Sequence, residues 1–343
     1  MSEIPTVNII GLGQMGECHV QAVTELGWKI TAICDKSRDR LKQIADKFHI
    51  DKTRCYANGE EMLLKAPPPM LLIIATTADS HCYYTCLGAQ RGIDFILCEK
   101  PMATSLSDCD KMIEACRTSG SILSINHQMR FMTQYTLVKE YIQNKQFGSL
   151  ASMNIIGGCF GVAMNGSHYI EAFAYLSNDR PSEVMAWFSD NSLPNPRGKQ
   201  FTDKAGQLRI LSESGLRMNL EIGPDQGHGM TVVYATRYGH IFVDELSGEL
   251  HAVVRKKEYQ EYPLTRYGLP CDRWSYQFTP LDNTGCTKHV LTALLEKKNY
   301  PSGADGKMVV NTLVAAYYSA QHYNARILLG AAELPYNHYF TWA

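Results

Sequence analysis

The segment from Ile9 to Asp35 constrains this chain most, because it combines a strand, a glycine-rich turn, an amphipathic stretch and a second strand. The turn has the pattern G-x-G-x-x-G. In such a turn Gly11 permits a tight bend, Gly13 lets the backbone approach a phosphate, and Gly16 lets the helix pack on the strand. The segment therefore predicts a dinucleotide site, with the pyrophosphate at the positive N-terminus of the helix. The expected cofactor contacts in this turn are Gly11, Gly13, Gln14, Met15 and Gly16.

The acid that ends the second strand bears on the choice of cofactor. Asp35 lies about 20 residues after the turn, where a carboxylate receives the ribose diol of NAD and repels the extra phosphate of NADP. Lys36 and Arg38 follow at once, and they either accommodate that phosphate or begin a solvent-facing helix. We therefore expect NAD, with NADP as the alternative.

The composition is that of a globular protein that handles a small molecule. A chain of 343 residues with 45% hydrophobic residues predicts two domains, each with its own core. The net charge of -1 gives no broad attraction to nucleic acid or to an anionic membrane. The longest apolar runs, such as residues 70–75, are too short to cross a bilayer.

Cysteine usage indicates a reducing compartment. The eleven cysteines are scattered without a C-x-x-C pair, so we expect free thiols and a cytoplasmic protein without a signal peptide. Cys82 and Cys86 share a helix face, but no histidine at metal spacing completes a ligand set. We interpret them as packing residues and expect no metal site.

Two patterns of secondary structure divide the chain. Strands and helices alternate through residues 1–122, which predicts a dinucleotide-binding Rossmann domain with a doubly wound parallel sheet. Longer alternating strands in residues 123–343 predict an α+β domain with a large, mainly antiparallel open sheet that binds substrate and carries oligomer contacts. Helices are expected near residues 139–144, 167–176, 288–298 and 305–329. The apolar segment 335–342 is expected to dock on a subunit contact or on the rim of the second domain.

A second motif, Glu99-Lys100-Pro101, follows a strand at the point where a parallel sheet presents its carboxyl end to ligands. Together with the glycine turn it resembles the Gfo/Idh/MocA family of glucose-fructose oxidoreductases, inositol dehydrogenases and their relatives. The resemblance continues through residues 75–81, 127–131, 165–171 and 305–319. It implies a nicotinamide cofactor, reversible hydride transfer at a carbon of a sugar, polyol or nucleotide-activated sugar, and a homodimer or homotetramer.

Lys100 has the chemistry that such a reaction needs. Oxidising an alcohol requires a base at the oxygen, and a desolvated lysine near a positive nicotinamide ring loses part of its preference for the charged form. The alternative is a surface lysine at a strand end. Because Glu99 and Pro101 match the family, we favour a catalytic and substrate-binding Lys100, with Glu99 and Lys100 also touching the cofactor.

His168 is the second candidate proton carrier, because it lies in the first turn of a predicted helix and titrates near neutral pH. A buried, satisfied histidine is the alternative. Many relatives carry an aspartate four residues earlier, where this chain has Met164. This departure argues against a His-Asp relay and favours Lys100 with His168 as the proton path. Asn165 and Glu171 share the helical face of His168, and Asn165 either binds substrate or caps the helix.

The remaining candidates flank the same expected cleft. Thr76, Thr77 and His81 follow the fourth strand and are expected to touch the cofactor, although His81 could instead bond the backbone at a helix start. Asn126 and Arg130 are expected to touch substrate. Arg130 could bind an anionic group of the substrate, and a structural ion pair with a carboxylate of the chain is an equally supported alternative.

Three functions remain open at this stage. The leading one is an NAD-linked dehydrogenase or reductase acting on a sugar or polyol. A second keeps NAD tightly bound and recycles it, so that transient oxidation permits elimination or glycosidic cleavage. The third is a non-catalytic NAD-binding sensor, for which Met164 is the best support and Lys100 the main objection.

Overall fold

The structure is a computed structural model that describes residues 4–158, 161–193, 195–227, 229–263, 268–280 and 282–342, without the side chains of residues 190–192. These residues form two compact units. The first contains the chain up to Gln128, Asp282–Val310 and the chain from Tyr336 onward, and the second contains Met129–Leu281 and Asn311–Pro335. The sequence prediction drew a single boundary after residue 122, whereas residues 123–128, 282–310 and the segment from Tyr336 lie in the first unit.

The first unit is built on a parallel sheet. Its strands are β1 (Thr6–Ile10), β2 (Lys29–Cys34), β3 (Cys55–Tyr56), β4 (Leu71–Ile74), β5 (Phe95–Cys98) and β6 (Ile122–Ile125). The order in the sheet is β3-β2-β1-β4-β5-β6, and the paired strands are parallel. Every residue of β4 and β5 is buried, as expected for strands covered on both faces. The strand order reverses at β1 and β4, so ligands are expected at the carboxyl ends of these strands.

Five helices connect these strands among the described residues: α1 (Gln14–Glu25), α2 (Arg38–Lys47), α3 (Gly59–Lys65), α4 (His81–Gln90) and α5 (Leu106–Ser119). Each begins where the sequence provides a start signal or a turn. Ser37, Asn58 and Ser105 cap α2, α3 and α5 through their side-chain oxygens. The expected doubly wound Rossmann architecture is confirmed.

The second unit is built on a larger, mixed sheet. Its strands are β7 (Leu150–Gly158), β8 (Pro181–Leu193), β9 (Asp203–Ser212), β10 (Arg217–Gly223), β11 (Met230–Thr236), β12 (Gly239–Asp244), β13 (Glu249–Arg255), β14 (Cys271–Gln277) and β15 (Ile327–Leu328). The order is β14-β13-β12-β11-β7-β10-β9-β8-β15. Strands β7 and β10 are parallel and the other described pairs are antiparallel. The prediction of a large, mainly antiparallel sheet is confirmed.

Side chains alternate between a buried and an open face of this sheet. In β11 every second residue is buried, including Val232, and the same alternation places Leu208 of β9 and Leu220 of β10 on a buried face. The helices α6 (Thr133–Gln143) and α7 (Ser167–Ser177) belong to this unit, and a π-helical turn, Val162–Gly166, runs directly into α7. No helix in the described ranges has both the length and the apolar character needed to cross a bilayer.

Two later helices and the last segment differ from the sequence predictions. Helix α8 (Asn283–Leu295) and the first part of α9 (Gly303–Gln321) lie in the first unit. The predicted helix to residue 329 is wrong at its end, because Tyr323 and Asn324 adopt left-handed backbone angles that terminate a helix. The segment from Tyr336 packs on the first unit instead of the rim of the second. There the Trp342 side chain is 1% exposed and its Nε1 donates to the Ala103 carbonyl at 3.2 Å.

Candidate functional site

The glycine turn after β1 has the geometry that the sequence predicts. Gly11 has φ of 87°, and a Cβ there would lie 2.5 Å from the Ala75 carbonyl oxygen. A Cβ on Gly16 would lie 2.0 Å from the Gly11 carbonyl oxygen. Both positions therefore require glycine for reasons internal to the chain. Gly13 differs, because a Cβ there would meet no described atom within 4 Å.

The open space at Gly13 lies at the N-terminus of α1, since Gly13 is the N-cap of this helix. No described side chain caps this N-terminus, which leaves the positive end of the helix dipole for a ligand. Gln14 and Gly13 are exposed and Met15 is half-buried. These features fit a dinucleotide pyrophosphate bound at the first turn of α1.

Asp35 joins the glycine turn to the loop after β2. Its Oδ2 accepts a hydrogen bond from the Leu12 backbone N–H at 2.7 Å, and its Oδ1 accepts one from Ser37 N at 2.8 Å. Lys36 and Arg38 are exposed, which agrees with solvent-facing residues at a helix start. The sequence reasoning missed Arg40, which donates from Nε to the Leu12 carbonyl at 2.5 Å and pairs with Glu17. Arg40 therefore binds carbonyl oxygens of the turn, whereas Asp35 binds its Leu12 N–H group.

The loop after β4 lies against the loop after β5 through His81. The His81 side chain is 1% exposed, with Nδ1 3.0 Å from the Pro101 carbonyl oxygen and Nε2 3.1 Å from that of Thr76. Burial lowers the pKa of His81, and the two carbonyl oxygens oppose this effect. Thr76 and Thr77 are half-buried, and Ser80 Oγ donates to Thr76 Oγ1 at 2.7 Å. Of the two expectations for His81, the structure shows the backbone contacts.

At the carboxyl end of β5, Glu99 is held in a buried polar cluster. Its Oε1 lies 2.7 Å from His19 Nε2 and accepts a hydrogen bond from Asn126 Nδ2 at 2.7 Å. Burial is the largest influence on the Glu99 pKa and raises it. The hydrogen bond and charge of His19, the bond from Asn126 and the charge of Lys100 outweigh burial and lower the pKa to about 2. Glu99 is therefore a buried carboxylate, and Asn126 contacts it directly.

Lys100 follows Glu99 at the same edge of the sheet and is 7% exposed. The peptide bond between Lys100 and Pro101 is cis. Such burial is rare for lysine and argues against the surface lysine that the sequence left as an alternative. The first unit thus places Lys100, Glu99, Asn126 and His81 at the carboxyl ends of its parallel strands, where the glycine turn after β1 also lies.

In the second unit, Arg130 pairs with Glu171 of α7. Its Nε donates to Glu171 Oε1 at 3.0 Å and its Nη2 donates to the same oxygen, with both side chains buried. The guanidinium also lies 4.8 Å from the centre of the Tyr175 ring. Of the two interpretations of Arg130, the structure shows the ion pair.

The turn that leads into α7 is held by Asp203, which the sequence reasoning missed. Its carboxylate accepts hydrogen bonds from the backbone N–H groups of Ala163 at 2.9 Å and Met164 at 2.8 Å. Burial raises the pKa of Asp203, while these bonds oppose it. Asn165 lies in this turn and His168 is half-buried in the first turn of α7. The N-cap of α7 is Gly166 without a side-chain cap among the described residues, so Asn165 is not the cap.

A second buried carboxylate holds α7 from another side. Glu245 accepts hydrogen bonds from Tyr135 of α6 at 2.5 Å and from Tyr169 of α7 at 2.6 Å. Burial raises the pKa of Glu245, and the two tyrosine hydroxyls oppose this. Residue 169 follows His168 directly, so this cluster fixes the helical turn that presents the histidine.

The described cysteines agree with the thiol prediction and reveal no metal centre. All ten of them are free thiols. The Sγ atoms of Cys82 and Cys86 lie 4.0 Å apart on α4. No group of three or more possible metal ligands occurs in the described part of the chain.

The parallel sheet with its glycine turn and acidic strand end defines a dinucleotide-binding Rossmann unit. Residues 6–127 match the model of the Gfo/Idh/MocA oxidoreductase family, whose description is an oxidoreductase family with an NAD-binding Rossmann fold. This part of the chain is therefore similar to that family. The match agrees with the resemblance that the sequence motifs indicated, and the NAD-binding description of the family supports NAD as the cofactor.

Sequence similarity to two individual relatives extends over part of the chain, whereas similarity in fold to a solved structure extends over nearly all of it. A D-apiose dehydrogenase from Paraburkholderia graminis is 32% identical over 142 residues, which are 41% of this chain and 37% of that protein. A myo-inositol 2-dehydrogenase from Thermotoga maritima is 28% identical over 143 residues, 41% of this chain and 42% of that protein. The matched region thus spans about 40% of the full length of these two relatives.

A solved oxidoreductase from Agrobacterium radiobacter, in complex with NAD+, L-tartaric acid and magnesium, extends the likeness in fold. It superposes with a TM-score of 0.80 at 18% identity, over 96% of this chain and 99% of that one. At this identity the superposition shows the fold, including that of the second unit.

Proposed function

We propose that this protein is an NAD-dependent oxidoreductase that transfers a hydride between nicotinamide and a hydroxyl-bearing carbon of a sugar or polyol. The observation that carries the proposal is Lys100, a nearly buried amine at the sheet edge that also bears the glycine turn. Relatives of the matched region include dehydrogenases of D-apiose and of myo-inositol, which supports the substrate class. Nucleotide-activated sugars remain within the proposed class.

The proposed chemistry assigns one task to each group of residues. The glycine turn and α1 bind the pyrophosphate, and Asp35 binds the adenosine ribose. When bound, the nicotinamide supplies the carbon that accepts or returns the hydride. Lys100 binds the substrate hydroxyl and takes its proton as the C–H bond breaks, so that a carbonyl forms; in the reverse direction the ammonium returns the proton. His168 is the proposed second proton carrier on the second unit.

The arrangement around Asp35 supports NAD over NADP. The carboxylate is fixed by Leu12 and Ser37, so its negative charge stays at the ribose position and repels a 2′-phosphate. Arg40, a nearby cation, already pairs with Glu17 and contacts two carbonyls of the turn. On this loop the exposed Lys36 and Arg38 are the cationic candidates for binding a 2′-phosphate of NADP, and the exposed Ser37 lies between them.

The experiment that tests the function combines cofactor binding with turnover. Titration of tryptophan fluorescence with NAD and NADP is expected to give a lower Kd for NAD. A panel of sugars and polyols, assayed in both directions by the absorbance of reduced nicotinamide, is expected to include at least one substrate. Turnover without added NAD would instead support the recycled-cofactor enzyme. Tight NAD binding without turnover of any candidate would support the sensor.

We also propose that the protein is a homo-oligomer that forms through the open face of the nine-stranded sheet. On this face Trp187 is 68% exposed, Ile156 51% and Met185 40%, which is an unusual apolar patch for a monomer surface. Polar side chains of the same face, including Asn154, Gln207, Arg209, Asn219 and Glu221, line a shallow depression beside them. This mixture suits a self-associating interface.

Replacing Trp187 with glutamate is therefore expected to dissociate the oligomer, because a charge would be buried in the proposed interface. Sedimentation equilibrium of the variant should give the mass of one chain, while the wild-type protein sediments as a dimer or tetramer. Leu64→Glu is the matched control, since Leu64 is 54% exposed on α3 of the first unit. Equal masses for Trp187→Glu and wild type would contradict the proposed interface.

A further inference from the structure

The buried cluster at Glu99, the residue before Lys100, joins three separate elements of the first unit. His19 comes from α1, Glu99 from the end of β5, and Asn126 from the end of β6. Their side chains meet at Glu99 Oε1, which lies 2.7 Å from both His19 Nε2 and Asn126 Nδ2. His19 is fully buried, and Asn126 is 1% and Glu99 4% exposed. The cluster is therefore shielded from solvent, one residue away in sequence from the lysine.

The cluster holds a charge that the fold alone does not need. A buried carboxylate is costly unless it is compensated, and here His19 and Asn126 both lie within hydrogen-bond distance of Glu99 Oε1. Because Glu99 is ionised and can only accept hydrogen bonds, His19 Nε2 carries a hydrogen and donates a hydrogen bond to Glu99 Oε1. An apolar residue at 99 would fill the same space without that cost. A buried anion that directly precedes Lys100 in the chain therefore indicates a task at the lysine.

We propose that His19 is a positioning residue, which together with Asn126 fixes the Glu99 carboxylate beside Lys100 and so sets the place and the charge of the Lys100 amine. The inference rests on the proposed function, in which Lys100 exchanges a proton with the substrate. His19 acts through Glu99 and does not itself touch the reacting atoms. Since His19 is also on the helix that begins at the glycine turn, the cluster ties the phosphate-binding helix to the strand end that carries the lysine.

A purely structural role for the cluster makes a different prediction. If the bonds only hold α1 against β5 and β6, their loss lowers thermal stability and leaves the proton exchange of Lys100 at its normal pH. If they position a charge, their loss moves the pH at which Lys100 titrates, because a neighbouring anion favours the ammonium form. The pH profile therefore separates the two roles.

Three variants carry the test: Glu99→Gln, His19→Leu and His19→Gln. Glu99→Gln removes the charge and keeps the shape, so the inflection of the kcat/KM profile for substrate oxidation is expected to move to lower pH by about one unit. His19→Leu removes a hydrogen-bond donor to Glu99, so burial favours the protonated, neutral form of this carboxyl. The inflection of the kcat/KM profile is therefore expected to move to lower pH in this variant as well. His19→Gln returns an amide N–H at a similar reach and is expected to restore the wild-type profile within about 0.3 unit.

A second readout does not depend on turnover. With 13C-labelled lysine, the side-chain signal of Lys100, assigned by its loss in Lys100→Met, is titrated by NMR with and without NAD. The inflection is expected to move in Glu99→Gln and His19→Leu in the same direction as the kinetic profile. Val20→Ala is the matched control, because Val20 is fully buried on α1 next to His19 and has no polar group. It should lower Tm and leave both profiles unchanged.

The outcomes distinguish this inference from the proposed function. Unshifted profiles in Glu99→Gln and in His19→Leu would overturn the positioning role of His19 even if Lys100 is essential. Full activity of Lys100→Met would overturn the proposed function itself. A shift in Glu99→Gln and His19→Leu, with recovery in His19→Gln, supports the inference.

Discussion

Replacing Lys100 with methionine is expected to lower kcat for sugar or polyol oxidation by about 10³-fold, within the usual range for loss of a general acid or base. Methionine keeps most of the side-chain volume, so the space occupied by a residue that is 7% exposed stays filled. The amine, however, is gone, and no group then takes the hydroxyl proton as the hydride leaves. Stopped-flow and steady-state assays of NAD reduction measure the effect on kcat directly.

Binding of NAD should change little in the same variant. The pyrophosphate and adenosine ribose are assigned to the glycine turn, α1 and Asp35, none of which depends on the Lys100 amine. The Kd for NAD from tryptophan fluorescence is therefore expected to stay within about threefold, because the groups assigned to the pyrophosphate and the adenosine ribose are unchanged. Lys111→Met on α5 is the matched control, because that lysine side chain is 58% exposed. Loss of less than tenfold in kcat at Lys100 would remove it from the chemistry.

The parts of the site that are local in sequence could be predicted from sequence. The glycine turn, Asp35 and the Glu99-Lys100-Pro101 motif each follow a strand within a few residues, and their spacing determines their place at one edge of a parallel sheet. The alternation of strands and helices likewise defined the Rossmann unit. In the second unit the long alternating strands predicted the sheet, although the exposed edge strand Cys271–Gln277 carries too weak an apolar pattern to be recognised.

The long-range partners could not be predicted. The ion pair of Arg130 with Glu171 and the cluster of His19 with Glu99 join residues 41 and 80 positions apart. No periodicity in one chain says which buried acid meets which buried base. A histidine on the apolar face of α1, beside Val20 and Val23, was the available signal for His19, yet its partner comes from another element.

Asp203 shows a related limit at the start of α7. The sequence lacks a carboxylate four residues before His168, which weakened the expectation of a His-Asp relay. The structure brings Asp203 from β9 to the same turn, but its oxygens accept backbone N–H groups of Ala163 and Met164. This carboxylate therefore fixes the turn that leads to the histidine.

The three glycines of the turn provide the second large test, because the structure separates their roles. At Gly16 an added Cβ would lie 2.0 Å from the Gly11 carbonyl oxygen, so Gly16→Ala must displace the turn itself. We expect a lower Tm and loss of NAD binding together in that variant. At Gly13 no described atom lies within 4 Å of an added Cβ. Gly13→Ala should therefore leave the fold and its Tm unchanged within about 2 °C, since a surface substitution without a steric conflict changes stability by less than 0.5 kcal/mol.

The Kd for NAD is nevertheless expected to rise by about 100-fold or more in Gly13→Ala, because the methyl group would enter the space that the pyrophosphate needs at the N-terminus of α1. Isothermal titration with NAD and a parallel thermal melt measure the two effects. Gly330→Ala is the matched control, since an added Cβ at Gly330 also meets no described atom within 4 Å and lies in the other unit. A bound pyrophosphate explains a glycine at a position where no described contact excludes a side chain. A Gly13→Ala protein that bound NAD with wild-type affinity would therefore exclude the pyrophosphate from the first turn of α1.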